Sequence, residues 1–124
     1  MLNSYKDLIV WQKSMNLVKD IYMITNSFPK SEIFGLVGQM RRAAVSIPSN
    51  IAEGFCRRSK KEYRQFLSIA FASVAELSTQ LILSEELKFM EKTTFDDINS
   101  LCEEVSKMLN KMISTLSIAQ SARG

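Results

Sequence analysis

The sequence predicts an all-α protein, an antiparallel up-down-up-down four-helix bundle, and three observations predict it. Four segments repeat apolar residues every three or four positions, the spacing that lines one side of a helix. Only four glycines and two prolines occur in 124 residues, too few turn formers for a sandwich or barrel of short strands. The links between the apolar segments are a few residues long, which makes sequential helices antiparallel neighbours. The chain, 1–124, reads as one domain, because division would leave two cores too small to stand alone.

The first helix is expected over about 7–26, with Leu8, Trp11, Met15, Val18, Tyr22 and Thr25 on its core face and Ile21 and Ile24 widening it. Ser27-Phe28-Pro29 ends it, since proline disfavours helical geometry in the residue before it. The second is expected over about 31–57, with Leu36, Met40, Ala43, Ile47, Ile51 and Phe55 inward. Pro48 lies within it, lacks a backbone donor and crowds the carbonyl of Ala44, so a kink or short break is expected there. Asn50 and Glu53 are expected to satisfy backbone groups that Pro48 leaves open, and Gly54 to loosen the helix end.

The third helix, about 60–89, opens on Ser59-Lys60-Lys61-Glu62, a capping box. Tyr63, Phe66, Ala70, Val74, Leu77, Leu81 and Leu87 form its stripe. The fourth, about 95–116, has Asp96 and Asp97 near its positive end and Ile98, Leu101, Val105, Met108, Met112 and Leu116 inward. Residues 117–124 are expected to fray. Helices three and four carry a second apolar row, Phe71, Ala75, Ile82 and Phe89 on one and Cys102, Leu109 and Ile113 on the other. A peripheral helix of a single bundle needs one buried face. We therefore expect a homo-oligomer, with Phe71, Ile82, Phe89 and Ile113 at its interface; a broad stripe under a small fold is the competing reading.

Composition excludes more than it assigns. The chain has no histidine, which removes the commonest general base, the commonest metal ligand and the Ser-His and Cys-His nucleophile pairs. The carboxylate pairs Glu85-Glu86, Asp96-Asp97 and Glu103-Glu104 diverge around their helices, and a di-iron bundle requires histidines. Gly35 and Gly38 do not make a phosphate loop. Cys56 and Cys102 do not make a disulfide framework or, by themselves, a zinc site, and both are expected to be reduced. No catalytic residue, metal or cofactor is expected, and the protein is read as a non-enzyme. The opening residues lack the charged and apolar regions of a signal peptide, and no apolar run approaches the roughly 20 residues of a membrane span. A cytoplasmic protein without a membrane partner is expected.

The net charge of +3 is unevenly spread. From Arg41 to Arg64 there are seven basic residues (Arg41, Arg42, Arg57, Arg58, Lys60, Lys61, Arg64) and two acidic ones (Glu53, Glu62), a local +5. Arg57 and Arg58 lie at a helix C-terminus, where cations are favourable; Lys60 and Lys61 lie at a helix N-terminus, where each costs about a few tenths of a kcal/mol. Folding does not explain the lysines. All seven are candidates for binding phosphates of RNA or another nucleic acid, against the alternative of a solvated turn. Of the adjacent Arg41 and Arg42, one is expected to face solvent and the other to pair with an acid on a neighbouring helix, Glu76 being the candidate. An acidic protein, such as a polymerase or reverse transcriptase, is the alternative partner for this surface.

Residues Gln39–Gly54, QMRRAAVSIPSNIAEG, closely resemble the signature of the 23S rRNA intervening-sequence proteins, also called the four-helix bundle protein family. Tyr5–Gln12 resembles the family's opening motif, and Phe66–Ala70 and Glu76–Leu81 its third helix. Ser78 departs from the pattern, which favours an acidic residue there, as does Phe71-Ala72, where small residues are common. The resemblance implies a four-helix protomer assembled into a ring, typically a pentamer, with no accepted catalytic residues. Some members are encoded inside insertions in ribosomal RNA genes. A protein of similar fold, the accessory variability determinant of diversity-generating retroelements, binds nucleic acid and a reverse transcriptase through a basic surface.

Overall fold

The structure, a computed structural model, describes residues 3–123, with side chains described through Ser117. Four helices, α1 (Ile9–Thr25), α2 (Leu36–Phe55), α3 (Lys60–Glu86) and α4 (Lys92–Arg123), are joined by short links, with 3-10 turns at Tyr5–Asp7 and Lys30–Glu32. Packing runs around a square, α1 on α2, α2 on α3, α3 on α4 and α4 back on α1. This is the up-down-up-down bundle that the spacing predicts. Its core is sealed by fully buried aliphatic residues from every helix, among them Leu17, Ile21, Met40, Ile47, Leu77, Leu81 and Leu109.

Several boundaries differ from the sequence reading, each for a local reason. Residues 31–35 are not part of α2. Gly35 adopts φ −108 and ψ −113, outside helical geometry, and the helix starts after it, with the Glu32 carboxylate accepting from the Leu36 amide at 3.4 Å. Helix α3 stops at Glu86 rather than near 89 because Lys88 takes a left-handed conformation, φ 65. The Lys88 amide then donates to the Glu85 carbonyl and the Phe89 amide to that of Ser84, the paired bonds of a Schellman end. The ring of Phe89 lands 5.5 Å from that of Phe28. The expected fray at 117–124 is replaced by helix to Arg123, Gly124 lying outside the described residues.

Inward faces also shift. In α1 the buried residues are Val10, Ser14, Leu17, Ile21 and Thr25, while Tyr22 is exposed and Trp11 and Val18 are half-buried at the edge of the core. Apolar residues surround this helix, so spacing alone leaves its rotation open; the small Ser14 faces inward and donates to the Trp11 carbonyl at 2.8 Å. In α4 Cys102 and Leu109 lie at the centre of the core, not on a second face. Burial pushes the Cys102 thiol up to about 11, the Ser78 hydrogen bond opposing and Glu103 adding to the shift. Leu87 is exposed.

Helix α2 runs unbroken through Pro48. The Asn50 side chain donates to the Ser46 carbonyl at 2.8 Å and to the Ser46 hydroxyl at 3.0 Å, and Ser46 meets Ser73 of α3 at 2.9 Å. Asn50 thus braces the turn beside the proline, although not the carbonyl of Ala44. Gly54 does not loosen the helix end. A Cβ at Gly54 would stand 2.8 Å from Cβ of Phe66 and 3.0 Å from the Tyr63 ring, so the missing side chain is what lets α2 and α3 close together.

Helix α3 contains an 18-residue window that is long and apolar enough to cross a membrane by length and composition, where the sequence reading expected no such run. One side of it forms the core between α2 and α4. The other exposes Ile69, Phe71, Ala72, Ala75, Ile82 and Leu83.

Candidate nucleic-acid interface

The turn from α2 to α3 builds the basic site. Helix α2 ends as the Cys56 amide donates to the Ala52 carbonyl and the Arg57 amide to that of Gly54. Helix α3 begins at once, with the Ser59 hydroxyl accepting from the Glu62 amide at 3.1 Å. This is the first arm of the predicted capping box. The tight reversal places Arg57, Arg58, Lys60 and Lys61 on one end of the bundle, all exposed. Among the described residues the ion pairs are Lys13–Glu104 and Lys92–Asp96, so none of these four side chains is neutralised.

The seven basic residues do not form one surface. Arg57 lies with its guanidinium carbon 4.6 Å from the centre of the Phe66 ring, one face held against an aromatic and the other open. Arg64 donates to the Ser117 hydroxyl of α4 at 3.0 Å, bracing α3 on α4. Arg41 and Arg42 lie toward the opposite end, about 24 Å up α2 from Arg57 at about 1.5 Å per residue. Arg41 donates to the Thr25 hydroxyl at 3.0 Å, to the Asn26 side chain at 3.1 Å and to the Tyr22 carbonyl at 3.4 Å, and stacks on the Tyr22 ring at 4.6 Å. The predicted partner Glu76 pairs with neither arginine and instead accepts from Gln80 at 3.3 Å. Arg41 therefore ties α2 to the end of α1, while Arg42 is exposed.

Sequence reasoning missed Lys6. The Ser4 hydroxyl accepts from its amide at 3.1 Å, and its carbonyl accepts from Gln12 at 2.8 Å, which holds the opening 3-10 turn against the start of α1. That turn packs on α2, and Tyr5 borders the same groove as Arg57. Lys6, the next residue, is exposed. It lies outside the Arg41–Arg64 stretch, so local charge counting had no means of finding it. Of the predicted interface residues, Phe71 and Ile82 are exposed on α3, whereas Phe89 and Ile113 are half-buried against the protomer's own core. Glu53 satisfies no backbone group; it is exposed at the edge of the Tyr5–Arg57 groove.

The protein is a histidine-free four-helix bundle with one cationic end and a proline-containing second helix. Residues 6–111 match the 23S rRNA-intervening sequence proteins. The chain belongs to that family. A solved structure similar to this bundle is a protein of unknown function from the S23 ribosomal protein family of Bacteroides thetaiotaomicron. It aligns with a TM-score of 0.77 at 24% identity, over 85% of this chain and 98% of that one, a likeness of fold. No curated protein matches the sequence. Neither comparison attaches a ligand or an activity to the basic end of this family member.

Proposed function

We propose that this family member is a non-catalytic, oligomeric cytoplasmic scaffold that binds RNA through the cationic end of the bundle. The observation that carries the reading is the exposed, unneutralised cluster of Arg57, Arg58, Lys60 and Lys61. Two of these charges oppose the dipole of α3, and the free amides of that helix end favour an anion. The family's name, with its link to 23S rRNA, makes RNA the first nucleic acid to test. One cluster of this size binds weakly. Copies joined through the apolar side of α3, at Phe71 and Ile82, would present several clusters to one strand and raise its effective concentration. The ring implied by the sequence resemblance is such an arrangement.

The test is fluorescence anisotropy of a labelled single-stranded RNA titrated at several salt concentrations. Affinity falls with salt, with a logarithmic slope of about −0.7 per phosphate contacted. The double variant Lys60→Glu/Lys61→Glu loses at least about tenfold in affinity at low salt. Salt-independent binding, or unaltered binding by the double variant, overturns the reading. Sedimentation of Phe71→Glu/Ile82→Glu checks the assembly: a smaller species that keeps its helical signal is expected.

A further inference from the structure

A groove of about 390 Å³ at the cationic end is bordered by Tyr5, Ala52, Glu53, Cys56 and Arg57. That size falls within the roughly 300–1,000 Å³ of small-molecule sites. Its composition is unusual for a phosphate-binding surface, because a carboxylate stands at its edge. Glu53 lies in the last turn of α2 and Arg57 four residues on, just past the helix end, near enough in sequence for an ion pair. They do not form one: Arg57 lies over Phe66 instead. The groove is left with an unpaired carboxylate, a guanidinium with one open face and an aromatic ring, around the small side chains of Ala52 and Cys56.

A phosphate is repelled by Glu53, so the carboxylate calls for a donor-rich group. Among nucleobases, guanine alone carries two adjacent N–H donors on its Watson–Crick edge, matching the two oxygens of a carboxylate. Its O6 and N7 acceptors match a guanidinium. Adenine and cytosine set one donor beside an acceptor, and uracil sets its donor between two acceptors, so each would place a lone pair against Glu53. Only an unpaired base offers its Watson–Crick edge, and such bases stack on aromatic rings and on guanidinium planes.

We propose that this groove holds an unpaired guanine of a single strand, with Glu53 reading its N1–H and amino group, Arg57 its O6 and N7, and Tyr5 packing on its face. The proposal rests on the nucleic-acid reading above: the lysines hold the backbone and the groove selects a base.

The experiment compares four labelled RNA octamers by anisotropy at one salt concentration. One is all uridine, and the others carry a single central guanosine, adenosine or inosine, the last lacking the amino group. The guanosine octamer binds about tenfold tighter than the uridine and adenosine ones, the effect of one good two-bond base contact, and inosine loses most of that gain. Glu53→Gln brings the guanosine octamer to within about twofold of all-uridine and does not weaken the latter. If wild type binds guanosine, adenosine and uridine octamers equally and Lys60→Glu/Lys61→Glu still abolishes binding, the guanine site is overturned while the backbone reading stands. A guanosine preference that survives Glu53→Gln also overturns the site. If no octamer binds, both readings fall.

Discussion

The two ends of the bundle use the same kind of residue for opposite purposes. At the end where α1 passes to α2, Arg41 is fastened by three hydrogen bonds and a ring contact and holds two helices together. At the end where α2 passes to α3, Arg58, Lys60 and Lys61 make no ion pair among the described residues. In sequence these residues form one basic stretch; in space the helix carries them apart. Local positive charge therefore has two physical meanings here. A guanidinium whose donors meet carbonyl and hydroxyl oxygens is part of the fold. An ammonium left unpaired beside a positive helix end is available to a ligand.

The sharpest way to break the contrast is to disturb the scaffold beneath the free charges. Gly54→Val puts a branched side chain where Phe66 Cβ and the Tyr63 backbone already stand within 2.8–3.2 Å of a bare Cβ. Besides the Tyr63 ring, the nearest atoms are a Cβ and a backbone carbonyl, which cannot swing away, so α2 and α3 must separate. We expect a stability loss of about 3 kcal/mol, at the upper end for overpacking, read as a lower urea midpoint. RNA affinity should fall with it even where the variant remains folded, because the Arg57–Phe66 stack and the spacing of Arg58 from Lys60 depend on that crossing. Retention of full stability would show that α2 and α3 do not need their close approach.

Removing the fastened arginine tests the other end. Arg41→Ala leaves the Asn26 side chain and the Tyr22 carbonyl without this donor and exposes the Tyr22 ring. A loss of about 2 kcal/mol is expected, since hydrogen bonds from a charged group contribute about 1.5–3 kcal/mol and the ring contact less. RNA affinity, measured on the folded fraction, should stay within about twofold, less than the effect of removing a single phosphate contact at low salt. An Arg41→Ala protein that is fully stable yet binds RNA poorly would invert the assignment of the two ends.

What the sequence revealed follows the range of the interactions involved. Helix number, order and sense were readable because each helix carries its own apolar spacing and the links are short. The Ser59 cap was readable because its bond spans three residues. The Schellman end at Lys88 was not, since lysine gives no local sign of a left-handed conformation that glycine usually supplies. The rotation of α1 was hidden because Trp11, Met15 and Val18 make a second, equally regular apolar row beside the buried one. The basic site was half readable. Arg57, Arg58, Lys60 and Lys61 are close neighbours in sequence, but Tyr5 meets the Arg57 groove only through the fold, and Arg41 leaves it through the helix rise. Arg57 illustrates the remainder: its place at a helix end was readable, but its contact with the Phe66 ring, nine residues later on α3, was not.

The smallest expected effect separates ligand binding from folding most cleanly. Lys60 and Lys61 occupy the first turn of α3, where the positive end of the helix disfavours cations and favours acids. Lys60→Glu/Lys61→Glu should therefore raise stability, by about a few tenths of a kcal/mol per site at low salt, an increment that shrinks as salt screens it. The same variant is the one expected to lose RNA. Opposite signs for stability and affinity would mean that the lysines are kept at a cost to the helix they begin, which a solvated turn does not require. A variant less stable than wild type would instead make Lys60 and Lys61 structural, and the contrast between the two ends of the bundle would lose its basis.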